Sequence, residues 1–155
     1  MMFHILLSTL FSIHTLQSDS VPSARVDAVV VTRLINQVRS EGCKCGDVYY
    51  QPAGAVKWST DLAKVAEAHS IDMQDNKYFS HISSKGVGAG ERLSNAGYSW
   101  KTYGENIAQG HTSEQEVVQA WIKSPGHCRN LMGAAFMEFG VGRRGNYWTM
   151  EVATR

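Results

Sequence analysis

Residues Tyr78-Phe79-Ser80-His81, Gly104-Glu105-Asn106-Ile107-Ala108 and Trp121-Ile122-Lys123-Ser124-Pro125-Gly126-His127 set two imidazoles and one carboxylate among apolar and small neighbours. For these groups to act together, three distant segments must meet, and few architectures allow that. Two histidines converging with an acidic side chain can hold a divalent metal or run acid–base chemistry.

With 155 residues, 43% hydrophobic and 19% charged, the chain suits one compact domain with a real core. A formal net charge of +1, with no cluster of Lys or Arg, argues against a nucleic-acid partner, because phosphate binding needs a concentrated basic patch. Phe3 to Leu16 is a mostly apolar run interrupted by His4, Ser8, Ser12, His14 and Thr15. It is too short and too polar to span a membrane, but its length suits a signal-peptide core, although no Lys or Arg precedes it. Residues 1–24 therefore read as an export leader, with cleavage expected between Ser18 and Ala24, and residues 25–155 as the domain. The alternative is a disordered or membrane-brushing amino terminus. Export would place the protein outside the cell or in its envelope.

Cysteine usage agrees with an oxidising compartment. Cys43 and Cys45 are too close in sequence for an easy mutual bridge, so the economical pairing joins Cys128 to one of them, with the partner left open. Closing so long a loop contributes about 4 to 5 kcal/mol in the chain-entropy model, minus strain. Three free thiols, or a Cys43/Cys45/Cys128 metal site, are the alternatives; Cys-x-Cys matches the usual Cys-x-x-Cys knuckle poorly.

Periodicity predicts helices first and strands last. Val26, Val30, Leu34 and Val38 mark an amphipathic helix from Val26 to Ser40, with Arg33, Asn36, Gln37 and Arg39 on its outer side and Gly42 as its stop. A second helix, capped within Ser59 to Asp61, carries the stripe Leu62, Val65, Ala66, His69 and Met73; His69 there reads as a hydrogen-bonded core residue. Ser80 to Gly90 is a Ser/Gly-rich loop, and Glu91 to Ala96 a helical turn stopped by Gly97. Overlapping capping boxes at Thr112 and Ser113 open a third helix with Val117, Val118, Trp121 and Ile122 inside. Ser124 as N-cap and Pro125 as first residue start a short helix toward Met132, putting His127 in its first turn, where the helix dipole favours the neutral imidazole. Met137 to Gly142 and Tyr147 to Ala153 form a hairpin about Arg143-Arg144-Gly145-Asn146.

From about Val30 to Val152 these residues resemble the CAP superfamily (cysteine-rich secretory proteins, antigen five and plant pathogenesis-related proteins), most closely its short bacterial SCP-domain or YkwD-like branch. The resemblance rests on Trp58 before the Leu62 helix, Phe79-Ser80-His81, Arg92-Leu93, Ala96-Gly97-Tyr98, Gly104 to Ala108, Trp121 with Ser124 to His127, and Gly140-Val141-Gly142 before Tyr147-Trp148. It implies an α+β fold, a three-layer α-β-α sandwich with a central antiparallel sheet. It also implies a cavity of His, Glu, Glu and His in which the histidines bind zinc or another divalent cation. His81, Glu105 and His127 match three of these positions, and the second Glu falls on Ser124, which supplies no carboxylate.

His81 and His127 are thus the candidate metal ligands of a weak, exchangeable site, with Ser124, Asn106 and His69 as supporting residues. Three functions fit. The favoured one is a non-catalytic exported binding module, its cavity taking a divalent metal or small ligand and its aromatic residues Tyr98, Trp100 and Tyr103 able to contact a lipid, glycan or peptide. The second is a metal-dependent hydrolase with Glu105 as general base. In the third, Glu105 merely bridges two imidazoles and holds the loop to the core. Ser124 as a nucleophile is disfavoured, since its capping role explains it.

Overall fold

The computed structural model describes residues 25–155; the expected leader, residues 1–24, lies outside the described residues. Asp27 starts the first helix, α1 (Ala28–Glu41), by accepting from the amides of Val29 and Val30, both at 3.0 Å. Gly42 ends it in a left-handed conformation at φ 78°. The buried positions are Val31, Ile35 and Arg39, so the inward stripe is rotated from the one expected, and Arg39 lies inside rather than outside. The reason is a capping job. Its guanidinium donates to the carbonyls of Leu131 (2.7 Å), Gly133 (3.1 Å) and Gly54 (2.7 Å), and the first two lie at the end of a later helix, where the last carbonyls lack an intrahelical partner.

A small antiparallel hairpin follows, β1 (Cys43–Cys45) and β2 (Val48–Tyr50), then β3 (Lys57–Trp58). Ser59 caps α2 (Thr60–Asp75), and after the long loop come α3 (Ala89–Asn95) and β4 (Thr102–Gln109). Ser113 caps α4 (Glu114–Lys123), and α5 (Pro125–Met132) precedes the hairpin β5 (Glu138–Arg144) and β6 (Tyr147–Thr154). The main sheet runs β3-β5-β6-β4. Its β5, β6 and β4 are antiparallel, as the resemblance implied, whereas β3 pairs in parallel with β5 through two residues only.

Alternation along β6 sorts the layers. Trp148, Met150 and Val152 pack with Val31, Ile35, Val117, Val118, Trp121 and Leu131 of α1, α4 and α5. The opposite face carries Ala153, packed with Leu62, Val65 and Leu93 of α2 and α3, and Thr149, which bonds Ser70 of α2 at 2.9 Å. The result is helices, sheet, helices. On this second face α2 lies directly on β5: a Cβ at Gly140 would come within 2.1 Å of the Ala63 amide nitrogen, and one at Gly142 within 2.0 Å of that of Glu67.

Cys45 and Cys128 form the disulfide, so the open choice of partner falls on Cys45 and Cys43 keeps its thiol. The bond ties β1 to α5. Among the described residues, no helix is long and apolar enough to cross a membrane.

Candidate functional site

The site forms at β4, one of the two outer strands of the sheet. Glu105 pairs across the ladder with Glu151 of β6, so both side chains leave the sheet on the α2/α3 face. Asn106 points the other way and donates to the carbonyl of His127 at 3.0 Å. Asn130 of α5 then donates to the Glu105 carbonyl (3.0 Å) and to the Asn106 side-chain oxygen (2.8 Å), which fixes α5 against the strand edge.

The carboxylate of Glu105 is fully engaged. One oxygen lies 2.7 Å from Nδ1 of His81, and the other accepts from Arg92 of α3. A carboxylate only accepts, so Nδ1 of His81 is the donor in this contact and Nε2 is the ring nitrogen left for another partner. Arg92 also donates to the carbonyls of His81 (2.9 Å) and Val87 (3.0 Å), gathering both ends of the loop. Burial pushes the Glu105 pKa up, but the bonds to His81 and Glu151 and the charge of Arg92 outweigh it and hold Glu105 below the usual carboxylate range.

Glu151 has the opposite fate. It is 0% exposed, no protein donor reaches either of its oxygens, and the Arg92 guanidinium stands 3.6 Å away. Burial first, and the charge on Glu105 second, push its pKa well above the usual value, so it keeps its proton and can offer it to Glu105. One arginine therefore serves two acidic groups, of which only one is charged.

His127 sits in the first turn of α5, half-buried, and its pKa is lowered, the direction expected from sequence, by burial first and by the nearby His81 second. Ser124 occupies the N-cap, but its side chain makes no capping bond. His69 lies buried on α2 and donates from Nε2 to the Ser80 carbonyl at 2.9 Å, holding the entrance of the loop. Its burial lowers its pKa from 6.5, and a depressed base stabilises the fold above the unfolded value and loses that stability as pH falls. Acidification below pH 6.5 should thus lower the melting temperature, and His69→Gln should flatten that slope; an unchanged slope would remove His69 as its source.

The loop itself is clamped rather than loose. Asp72 accepts from the Ser84 amide (2.9 Å), the Ser84 hydroxyl (2.5 Å) and the Tyr78 hydroxyl. Of the aromatic residues, Tyr98 is a core residue bonded to Glu138 at 2.6 Å. Trp100 and Tyr103 form an exposed edge-to-face pair, with ring centroids 4.6 Å apart.

His81 and His127 offer two imidazoles, with Glu105 behind His81 as its orienting partner, the usual arrangement around a metal-bound histidine. A third protein ligand is lacking. Among the described residues, the only three donors whose ligand atoms lie within 4.8 Å of one another belong to Cys43, Cys45 and Cys128, two of them joined as a disulfide. The donor set fits a weakly held cation and not a closed or three-ligand catalytic centre. Sequence reasoning assigned no role to Arg92 and overlooked Glu151, the second carboxylate of the site. The available signal was a lone acid in the otherwise apolar strand Trp148 to Ala153.

The model of the cysteine-rich secretory protein family, CAP, matches residues 32–151. The protein YkwD of Bacillus subtilis is 41% identical over 92 residues, which is 58% of this chain and 36% of that protein. The crystal structure of an extracellular protein containing an SCP domain from Bacillus anthracis superposes with a TM-score of 0.74 at 31% identity, covering 83% of this chain and 40% of that one. An outer surface protein of Borrelia burgdorferi shares the fold at a TM-score of 0.70 and 19% identity, covering 86% of this chain and 98% of its own. The chain thus spans well under half the length of the two Bacillus proteins.

Proposed function

This chain belongs to the cysteine-rich secretory protein (CAP) family, and from that premise we propose that it is an exported, non-catalytic binding module whose His81/His127 pair takes a divalent cation weakly. The observation that carries the reading is the double engagement of Glu105 by His81 and Arg92. A general base must be free to take a proton from water, and this carboxylate is charged, buried and used up by two partners. The same bond that disables it as a base orients His81 as a ligand. Export is supported by the Cys45–Cys128 disulfide, which persists only under oxidising conditions, and by the extracellular description of the Bacillus anthracis relative. Lipid, glycan or peptide ligands draw support only from the exposed Trp100, Tyr103, Phe79 and Ile82 near the loop.

Zinc titration of the purified chain by calorimetry tests this. His81→Ala and His127→Ala should each abolish saturable binding, and Glu105→Gln should weaken it by about 10- to 100-fold, as loss of an orienting partner does. Unchanged affinity in both histidine variants would refute the site; zinc-dependent turnover abolished by Glu105→Gln would instead favour a hydrolase.

A further inference from the structure

The third sulfur is placed where chemistry can use it. Cys43 and Cys45 are two apart on strand β1, so their side chains leave the same face, and that face meets Cys128 of α5. Sγ of Cys43 lies 3.6 Å from Sγ of Cys128, and all three sulfurs fall within 4.8 Å of one another. Exposure divides them. Cys45 is 2% and Cys128 0% exposed, so an outside thiol cannot reach the bond they share, whereas Cys43 is only half-buried.

We propose that Cys43, Cys45 and Cys128 form a thiol–disulfide exchange site in which Cys43 opens the buried bond to low-molecular-weight thiols. In the first step the Cys43 thiolate attacks Sγ of Cys128. A Cys43–Cys128 bond forms, the Cys45–Cys128 bond breaks, and Cys45 leaves as a thiolate that takes up the proton Cys43 gave to solvent. No oxidant or reductant is consumed. In the second step an external thiolate attacks the now bonded Sγ of Cys43, forming a mixed disulfide there and releasing Cys128 as a thiolate, the external thiol supplying the electrons. An in-line attack needs the outer sulfurs roughly 5.6 Å apart, given a normal S–S bond of about 2.05 Å. They lie closer than that, so Cys43 must first turn about χ1, which the short, half-exposed hairpin permits.

The oxidised full chain, treated with reduced glutathione and quenched with acid, reads this out. Lys44 stands between the two hairpin cysteines, so trypsin separates them before mass spectrometry. Wild type should yield a glutathione adduct on Cys43, and both Cys43→Ser and Cys43→Ala should lose the buried disulfide about tenfold more slowly or worse, with melting temperatures close to wild type before reduction. Cys45→Ser, reoxidised, should carry a Cys43–Cys128 bond. Equal reduction rates in wild type and both Cys43 variants would overturn the proposal whether or not Cys43 is modified. So would Cys43 and Cys128 both remaining free in folded Cys45→Ser.

Discussion

Gly142→Ala should destabilise the domain by about 3 kcal/mol or more, the upper end for overpacking, because the new methyl has nowhere to go. Its Cβ would stand 2.0 Å from the Glu67 nitrogen, 2.2 Å from its Cα and 2.5 Å from the Ala66 carbonyl carbon, all backbone atoms of α2. A flexible side chain could swing aside; a helix backbone must move as a body, and α2 is held at Ser70 by bonds to Thr149 and Gly142 themselves. Gly54→Ala is the control, since nothing lies within 4 Å of the added carbon. Denaturant unfolding should separate the two variants clearly. Similar midpoints would mean that α2 does not rest on β5 at this spot.

The second large effect falls on Arg92. Replacing it by Met leaves Glu105 and Glu151 buried without a cation and strips donors from the carbonyls of His81 and Val87. Removing one partner of a buried ionic group costs about 3–5 kcal/mol. Glu151→Gln should do the reverse, being neutral or stabilising near pH 7, since it removes an acid that must stay protonated to be tolerated. The sign of the pH dependence follows. Above the ordinary glutamate value of 4.5 the unfolded chain has released its Glu151 proton while the folded chain still holds it, so folding loses stability as pH rises. Wild type minus Glu151→Gln should show that decline, measured by thermal melts from acid to neutral pH. A flat difference, or an Arg92→Met variant as stable as wild type, would break the one-arginine, two-acid account.

Much of the architecture could be read from local chemistry. Ser59 and Ser113 as caps, Pro125 opening α5, Gly97 after α3 and the polar Gly145-Asn146 turn between β5 and β6 are all decided within a few residues. What escaped was decided at a distance. Arg39 looks like a solvent-facing charge within its own helix, and only the carbonyl ends of α5 and the Gly54 loop bring it inside. Glu151 follows the same logic: in a sheet covered on one face only, it would alternate outward into water, but here helices cover both faces. The meeting of His81 with Glu105 was legible because each of their segments carries its own apolar anchor. The role of Arg92 was not, because a charge on a helix of seven residues has no local signature of its target.

The seating of Asn130 on β4 bears on solubility as well as on the site. An outermost strand normally leaves a row of carbonyls and amides open for a neighbouring molecule to zip onto, the usual seed of ordered clumping. Here the side-chain amide of Asn130 takes the Glu105 carbonyl, and Gly104 beside it leaves just enough room, since any methyl there would come within 2.9 Å of the Asn130 oxygen. The same stitch that seats α5, and His127 with it, against β4 thus blunts the flank along which copies of this protein would otherwise stack.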